Sequence, residues 1–391
     1  MYYYMFGMDP DDPGSCAADL AARGFRGVVL SAATEPALEA AQQHGLDAYL
    51  CFGAFGLRSD ADEASLAHDV DGIPRVWFSS GCPNDPGLAE SRLEQACRAA
   101  GKPGLRGIFV DGARFASPAS PEGFDAFWTC FCPRCVRKAG DMGMDAGAME
   151  KAVRAMIRFI ERGEGVLEQC LSGMADWLRF RKRCIGEYFA RFRTAVRESR
   201  SDLAAGAFVF TPSLRALVGQ DAETVSGLDI VAPMIYRRYP HKNGPSCLDH
   251  EWAALLGAIT ARSGISFETA RAAMRLLSDI PIAAQSAAQL LKEGFPPQVL
   301  ESETAAARVG LPEGAALMPI VQLEDDRLDE CVAAIRRGGA VGCGFFRWRK
   351  EHMGSLPELL LGLPPERSAR RKAEKSGAAR RVRRGFRAGL R

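Results

Sequence analysis

Six consecutive residues, Cys130-Phe131-Cys132-Pro133-Arg134-Cys135, carry three thiols in a C-x-C-x-x-C run. Thiolates this close could occupy three corners of a tetrahedral zinc site, and a fourth ligand is required. Cys82 lies upstream in Gly81-Cys82-Pro83-Asn84-Asp85-Pro86, a turn-forming sequence able to present its thiol. Separate buried cysteines are the alternative reading. Iron–sulfur ligation fits less well, because the spacing departs from ferredoxin patterns. Carboxylates are the second set of reactive groups. Asp111 stands where the apolar run Gly107–Asp111 opens into Gly112-Ala113-Arg114, and a carboxylate there should face a solvated mouth. Arg114 could pair with it or hold a substrate oxygen. Gln322 and Glu324 follow another apolar run and share a face by two-residue alternation. Asp325 and Asp326 are expected to cap the next helix, and Glu324 either joins them there or shares the inward face with Gln322.

These residues need a frame to hold them. Eight short apolar runs alternate with helix-like stretches: 4–8, 27–31, 48–52, 107–111, 205–210, 229–236, 316–323 and 340–348. Repeated β/α units of this kind predict an α/β fold, a (β/α)8 TIM-like barrel over residues 1–363 with chemistry at the C-terminal strand ends. An open doubly wound sheet would call for a Gly-rich phosphate loop after the first strand, and none is present. More than ninety residues separate the fourth and fifth runs, and the sixth and seventh are also far apart, which predicts long βα insertions. Trp177, Phe180, Cys184, Tyr188, Phe192 and Val196 recur at three- and four-residue steps, the apolar face of a helix packed in the core. Cys51, Cys331 and Cys343 lie in or beside apolar segments and read as core. His241 is the most suggestive histidine, because it follows a strand end.

The pairing of Cys-Pro-Asn-Asp-Pro with a downstream C-x-C-x-x-C resembles the zinc loop of glycoside hydrolase family 42 β-galactosidases. That resemblance implies a structural zinc held by Cys82, Cys130, Cys132 and Cys135. Asp111 with Arg114, the segment Pro233-Met234-Ile235-Tyr236, the Trp177–Arg181 helix and Gly219-Gln220-Asp221 are similar to features of the family-10-like barrel glycoside hydrolases. The likeness spans roughly residues 1–355 as scattered short motifs. It implies a glycoside hydrolase acting through two strand-end carboxylates, Asp111 and Glu324, with Glu324 at the seventh-strand position of a nucleophile. Family 42 carries Asn-Glu at the fourth strand end where this chain has Val110-Asp111, so its acid does not transfer. Asp9, Arg114, Tyr236, Gln322, Arg347 and Trp348 are the candidate sugar-binding residues, with either Arg347 or Trp348 facing the mouth. A noncatalytic carbohydrate-binding or scaffold barrel is the competing expectation.

Composition bounds the rest. With 47% hydrophobic and 25% charged residues over 391 positions, the chain is of globular type, and no run approaches the ~20 apolar residues of a membrane span. The first residues, Met1–Asp9, lack a basic region followed by a sustained apolar stretch, so a cytoplasmic protein with reduced thiols is expected. Residues 367–391 carry eleven Lys or Arg against Glu374. Following Pro364-Pro365, residues 364–391 are expected to form a disordered basic tail. An anionic partner, such as RNA, DNA or anionic lipid, could bind there.

Overall fold

The computed structural model describes residues 1–57, 63–239 and 247–355. His241 and the basic tail lie outside the described residues. Parallel strands form one large curled sheet: β1 (Tyr2–Phe6), β2 (Gly27–Leu30), β3 (Asp47–Gly53), β4 (Leu105–Asp111), β5 (Ala204–Val209), β6 (Ile230–Pro233), β7 (Ala316–Leu317), β8 (Ile320–Gln322) and β9 (Gly342–Phe346). The spatial order is β8-β9-β1-β2-β3-β4-β5-β6-β7. The two end strands are therefore halves of one expected run, interrupted at Met318-Pro319. Proline has no N–H to give a ladder, yet the Pro319 carbonyl accepts from Gly344 N at 2.8 Å, and Met234 bridges to Ile320 on the other side. Counting β7 and β8 as one station, eight stations follow one another around the ring.

The register supports the same arrangement. A line of partners from Gln322 passes through Phe346, Phe6, Val29 and Tyr49 to Gly107, while the line from Phe109 passes through Gly206 and Ile230 to Ala316. One circuit thus displaces the register by eight residues, the stagger that tilts the strands of a TIM-like barrel. The fold is a mostly parallel, curled α/β sheet flanked by helices, consistent with that barrel.

Inward-facing residues alternate along each strand, and aromatic rings fill the interior. Phe109 stacks on Phe208 at 5.0 Å, Tyr49 meets Phe109 edge-on at 5.5 Å, and Phe6 contacts both Phe208 and Phe346. A small residue makes this possible, since a Cβ on Gly206 would sit 2.8 Å from the Phe109 ring. The long insertions follow β4 and β6, as the run spacing implied. In the first, helix Ala175–Ser199 buries Trp177, Phe180, Cys184, Tyr188, Phe192 and Val196, together with Arg181. Among its described residues the second contains four α-helices, from Leu248–Arg262 to Val299–Arg308.

Gly206→Ala should overpack the ring interior. We expect a loss of about 1–3 kcal/mol, read as a lower thermal midpoint with an unchanged far-UV circular dichroism spectrum.

Candidate active site and metal centre

The apolar core of β4 ends at Asp111, on the same inward parity as Phe109. Its half-buried carboxylate accepts from Gly112 N at 2.7 Å. Burial raises its pKa above the ordinary aspartate value, against opposing contributions from that hydrogen bond and from Arg114. Tyr236 continues the inward series Ile230, Ala232, Met234 and is 2% exposed. Burial pushes its phenol well up, and the Asp111 charge pushes it further. Cys51 on β3 is shifted by the same two causes. Asp111, Tyr236 and Cys51 therefore share one electrostatic neighbourhood at the C-terminal strand ends.

Gln322 closes β8 on the inward face at 5% exposure, and its Nε2 has no hydrogen-bond partner among the described residues. Phe346 faces in beside it, 5.9 Å from the Tyr236 ring. Glu324 lies in the turn beyond, 3.3 Å from His352 Nδ1 and 3.9 Å from Arg349 Nε. Its charge also reaches Tyr239, whose phenol is raised chiefly by burial.

The other candidates sit at differing distances from this group. Arg114 is 4% exposed, turns Nη1 to the Phe115 carbonyl at 3.0 Å, and feels Glu251 and Asp111. Asp9 serves its own turn, accepting from Asp11 N at 3.1 Å. Strand β9 ends at Phe346, so Phe346, rather than Arg347 or Trp348, is its inward terminal residue. Arg347 is exposed, and Trp348 packs against the outer core with its N–H donating to Phe6 O at 2.7 Å. Asp325 departs from the expected cap. It makes a buried ion pair with Arg237 at 2.6 Å, both side chains 4% exposed, and so ties the Glu324 turn to the segment following Tyr236. The acids in the first turn of helix Leu328–Arg337 are instead Asp329 and Glu330.

Gln220 and Arg181, legible in sequence only as members of the resembling motifs, and Glu251 and Glu303, which carried no signal, hold the loops. Gln220 bridges two of them, accepting from Phe210 N at 2.7 Å and donating to Ala113 O at 2.9 Å. Buried Glu251 accepts from Ser117 Oγ and Ala119 N, and buried Glu303 from Thr211 Oγ1 and Ser213 N. Fully buried Arg181 lies over the Trp177 ring at 3.7 Å and donates to the carbonyls of Phe127, Thr129 and Leu217.

The four motif cysteines meet on this rim. All are buried, with Cys82 Sγ 3.5 Å from Cys135 Sγ and 3.7 Å from those of Cys130 and Cys132. A tetrahedron with zinc–sulfur bonds of about 2.3 Å has edges of about 3.8 Å, so the spacing fits four thiolates around one ion. The hydrogen bonds around the sulfurs fit too. His68 N donates to Cys130 Sγ at 3.4 Å, and Asn84 Nδ2 to Cys135 Sγ at 3.2 Å. Cys132 and Cys135 stand at the start of helix Pro133–Asp141, where the helix dipole favours negative sulfur. The Arg134 and Arg181 charges sense this cluster. The group could hold a metal ion.

The chain has a glycoside hydrolase-like fold. It matches the β-galactosidase from the Antarctic haloarchaeon Halorubrum lacusprofundi with a TM-score of 0.53 at 16% identity, over 90% of this chain and 53% of that one. The β-galactosidase from the psychrophilic Marinomonas ef1 matches with a TM-score of 0.54 at 14% identity, over 90% and 54%. The chain spans about half the length of these structures. No protein-family profile matches it, and no curated protein does. Among the described residues no helix is long and apolar enough to cross a membrane.

The raised Asp111 pKa carries a stability consequence. Below the ordinary aspartate pKa of about 3.9 the group is protonated folded or unfolded and contributes nothing. As pH rises, the unfolded chain ionises first, so stability is lost until the folded pKa is passed. Asp111→Asn should therefore be more stable than the wild type at neutral pH, with the gain vanishing below about pH 3.9 in urea denaturation.

Proposed function

We propose that the protein hydrolyses glycosides at the C-terminal mouth of a closed (β/α)8 barrel. The observation that carries this reading is Asp111, an inward strand-end carboxyl whose pKa burial raises above the ordinary aspartate value. A carboxylic acid there can give its proton to a glycosidic oxygen as the bond to the leaving group breaks. Glu324, on the rim across the ring, supplies the second carboxylate that glycoside cleavage requires. Half-buried Phe346 offers ring surface to a sugar, with the Tyr236 ring packed behind it and Gln322 beside it. The fold likeness to β-galactosidases agrees with a carbohydrate ligand. Arg114, buried in the loop after Asp111, places its positive charge where that carboxyl feels it.

Zinc is the metal we assign to Cys82, Cys130, Cys132 and Cys135. Four thiolates complete its coordination shell, leaving no open position to activate water. The ion would brace the rim, joining the segment before helix Pro86–Ala100 to the insertion after β4. On this reading the metal is structural and the acid–base work belongs to the barrel's carboxyls.

Two experiments test the proposal. Screening aryl glycosides and oligosaccharides should reveal turnover that falls about 10²–10⁴-fold in Asp111→Asn and in Glu324→Gln with the fold preserved. Near-native turnover in either variant removes that residue from the chemistry, and sugar binding without turnover assigns the mouth to a binding role. Metal analysis of the purified protein should find one zinc per chain. Cys132→Ser should lower both zinc content and thermal midpoint; a wild type free of zinc sinks the assignment.

A further inference from the structure

Backbone geometry singles out one aromatic residue on the rim. Ser80 N donates to Trp77 O at 2.8 Å, closing a four-residue turn whose central residues, Phe78 and Ser79, have φ of 45° and 54°. That is the type I′ pattern, which asparagine, aspartate and glycine favour and a bulky side chain rarely adopts. Buried Trp77 anchors the turn, while Phe78 stays 37% exposed. Its ring therefore gains little burial in return. A local rule broken without a packing gain marks a functional position.

The surrounding contacts place this ring beside Asp111. The turn pairs with the segment after β3, where Leu57 N donates to Ser79 O at 2.8 Å and Gly81 N to Phe55 O at 3.0 Å. That segment starts at the end of β3, where Gly53 pairs with Asp111 and Ala54 N donates to Asp111 O at 2.8 Å. From the other direction, the Arg114 guanidinium lies 5.5 Å from the centre of the Phe78 ring and feels the Asp111 charge. Glu122 Oε1 accepts from Phe78 N at 2.9 Å, so the insertion after β4 holds the turn as well. Gly53 continues the inward series Tyr49, Cys51 and is exposed. Among the described residues, a Cβ on Gly53 would meet no atom within 4 Å beyond its chain neighbours. The inward place next to the acid is thus open space.

Resting on the carbohydrate reading above, we propose that Phe78 is the stacking platform for a pyranose ring that enters over Gly53 to reach Asp111. The ring is steadied by the Arg114 guanidinium and keeps exposed surface for the ligand. C–H groups on one face of a sugar pack on such a surface, which leaves the hydroxyls to the polar groups of the rim. The absence of a side chain at Gly53 keeps the entry clear. A phenylalanine in a turn suited to asparagine lowers stability, and binding is what it gives in exchange.

Phe78→Asn separates binding from folding, because it suits the turn and removes the ring. The thermal midpoint should stay level or rise, and KM for the first aryl glycoside cleaved should rise about tenfold with kcat nearly unchanged. Phe78→Tyr, which keeps the ring, should hold KM within about twofold. An unchanged KM in Phe78→Asn, or an equal rise in Phe78→Tyr, overturns the platform and leaves the glycosidase reading standing. If the wild type cleaves none of the panel, the glycosidase reading falls, and saturation-transfer NMR with lactose and cellobiose decides the platform. Transfer lost in Phe78→Asn supports it; transfer equal in the two proteins, or absent from both, overturns it. Phe78→Gly fits the same turn and carries the same expectations should the asparagine variant not fold.

Discussion

A single buried cation organises the rim. Arg181 gives its N–H groups to carbonyls at Phe127, Thr129 and Leu217 while its guanidinium lies against Trp177. Those carbonyls belong to the approach to the cysteine loop and to the loop after β5, so one side chain fixes the spacing between them. Burial depresses its pKa well below the ordinary arginine range, yet its neutral form would leave several acceptors unsatisfied in a low-dielectric setting. The sulfur cluster nearby lends the compensating negative charge. Cysteine cluster and guanidinium are electrostatic neighbours, each felt by the other.

From that rim the strands carry the chemistry inward. Strict alternation puts Phe109 and Asp111 on one side of β4, and Ile320 and Gln322 on one side of β8. Because the sheet curls, parity becomes convergence: inward residues far apart in sequence meet at the same end of it. Polar staples then fix the loops above them. Gln220, Glu251 and Glu303 each join backbone or hydroxyl groups from separate segments, which limits how far the mouth can open without breaking buried hydrogen bonds.

Sequence order revealed the strand runs, the two long insertions and the apolar face of helix Ala175–Ser199, because period-two and period-3.6 patterns are local. The cysteine cluster was legible for a different reason, since three of its members lie within six residues and the fourth sits in a distinctive turn. The interruption at Pro319 was visible as a residue, but its consequence, two short strands joined through neighbours, depends on pairing. Asp325 shows the harder case. A run of three acids before a helix reads as capping, and only the fold brings Arg237 to Asp325 and buries both. The same holds for Arg181 and Gln220, whose partners are carbonyls and amides that every residue carries and that no pattern singles out.

The aromatic filling of the barrel divides the molecule into a closed floor and an adjustable surround. Rings from Phe6, Phe208 and Phe346 pack against one another below the strand-end carboxyl, so the interior is no conduit and ligands can approach Asp111 only from the loop side. Everything that could discriminate one ligand from another must then come from the segments emerging above the strands. Asp111 itself is held by its strand. Exchanging those loops would therefore change what meets the strand ends while Asp111 stays in place on its strand.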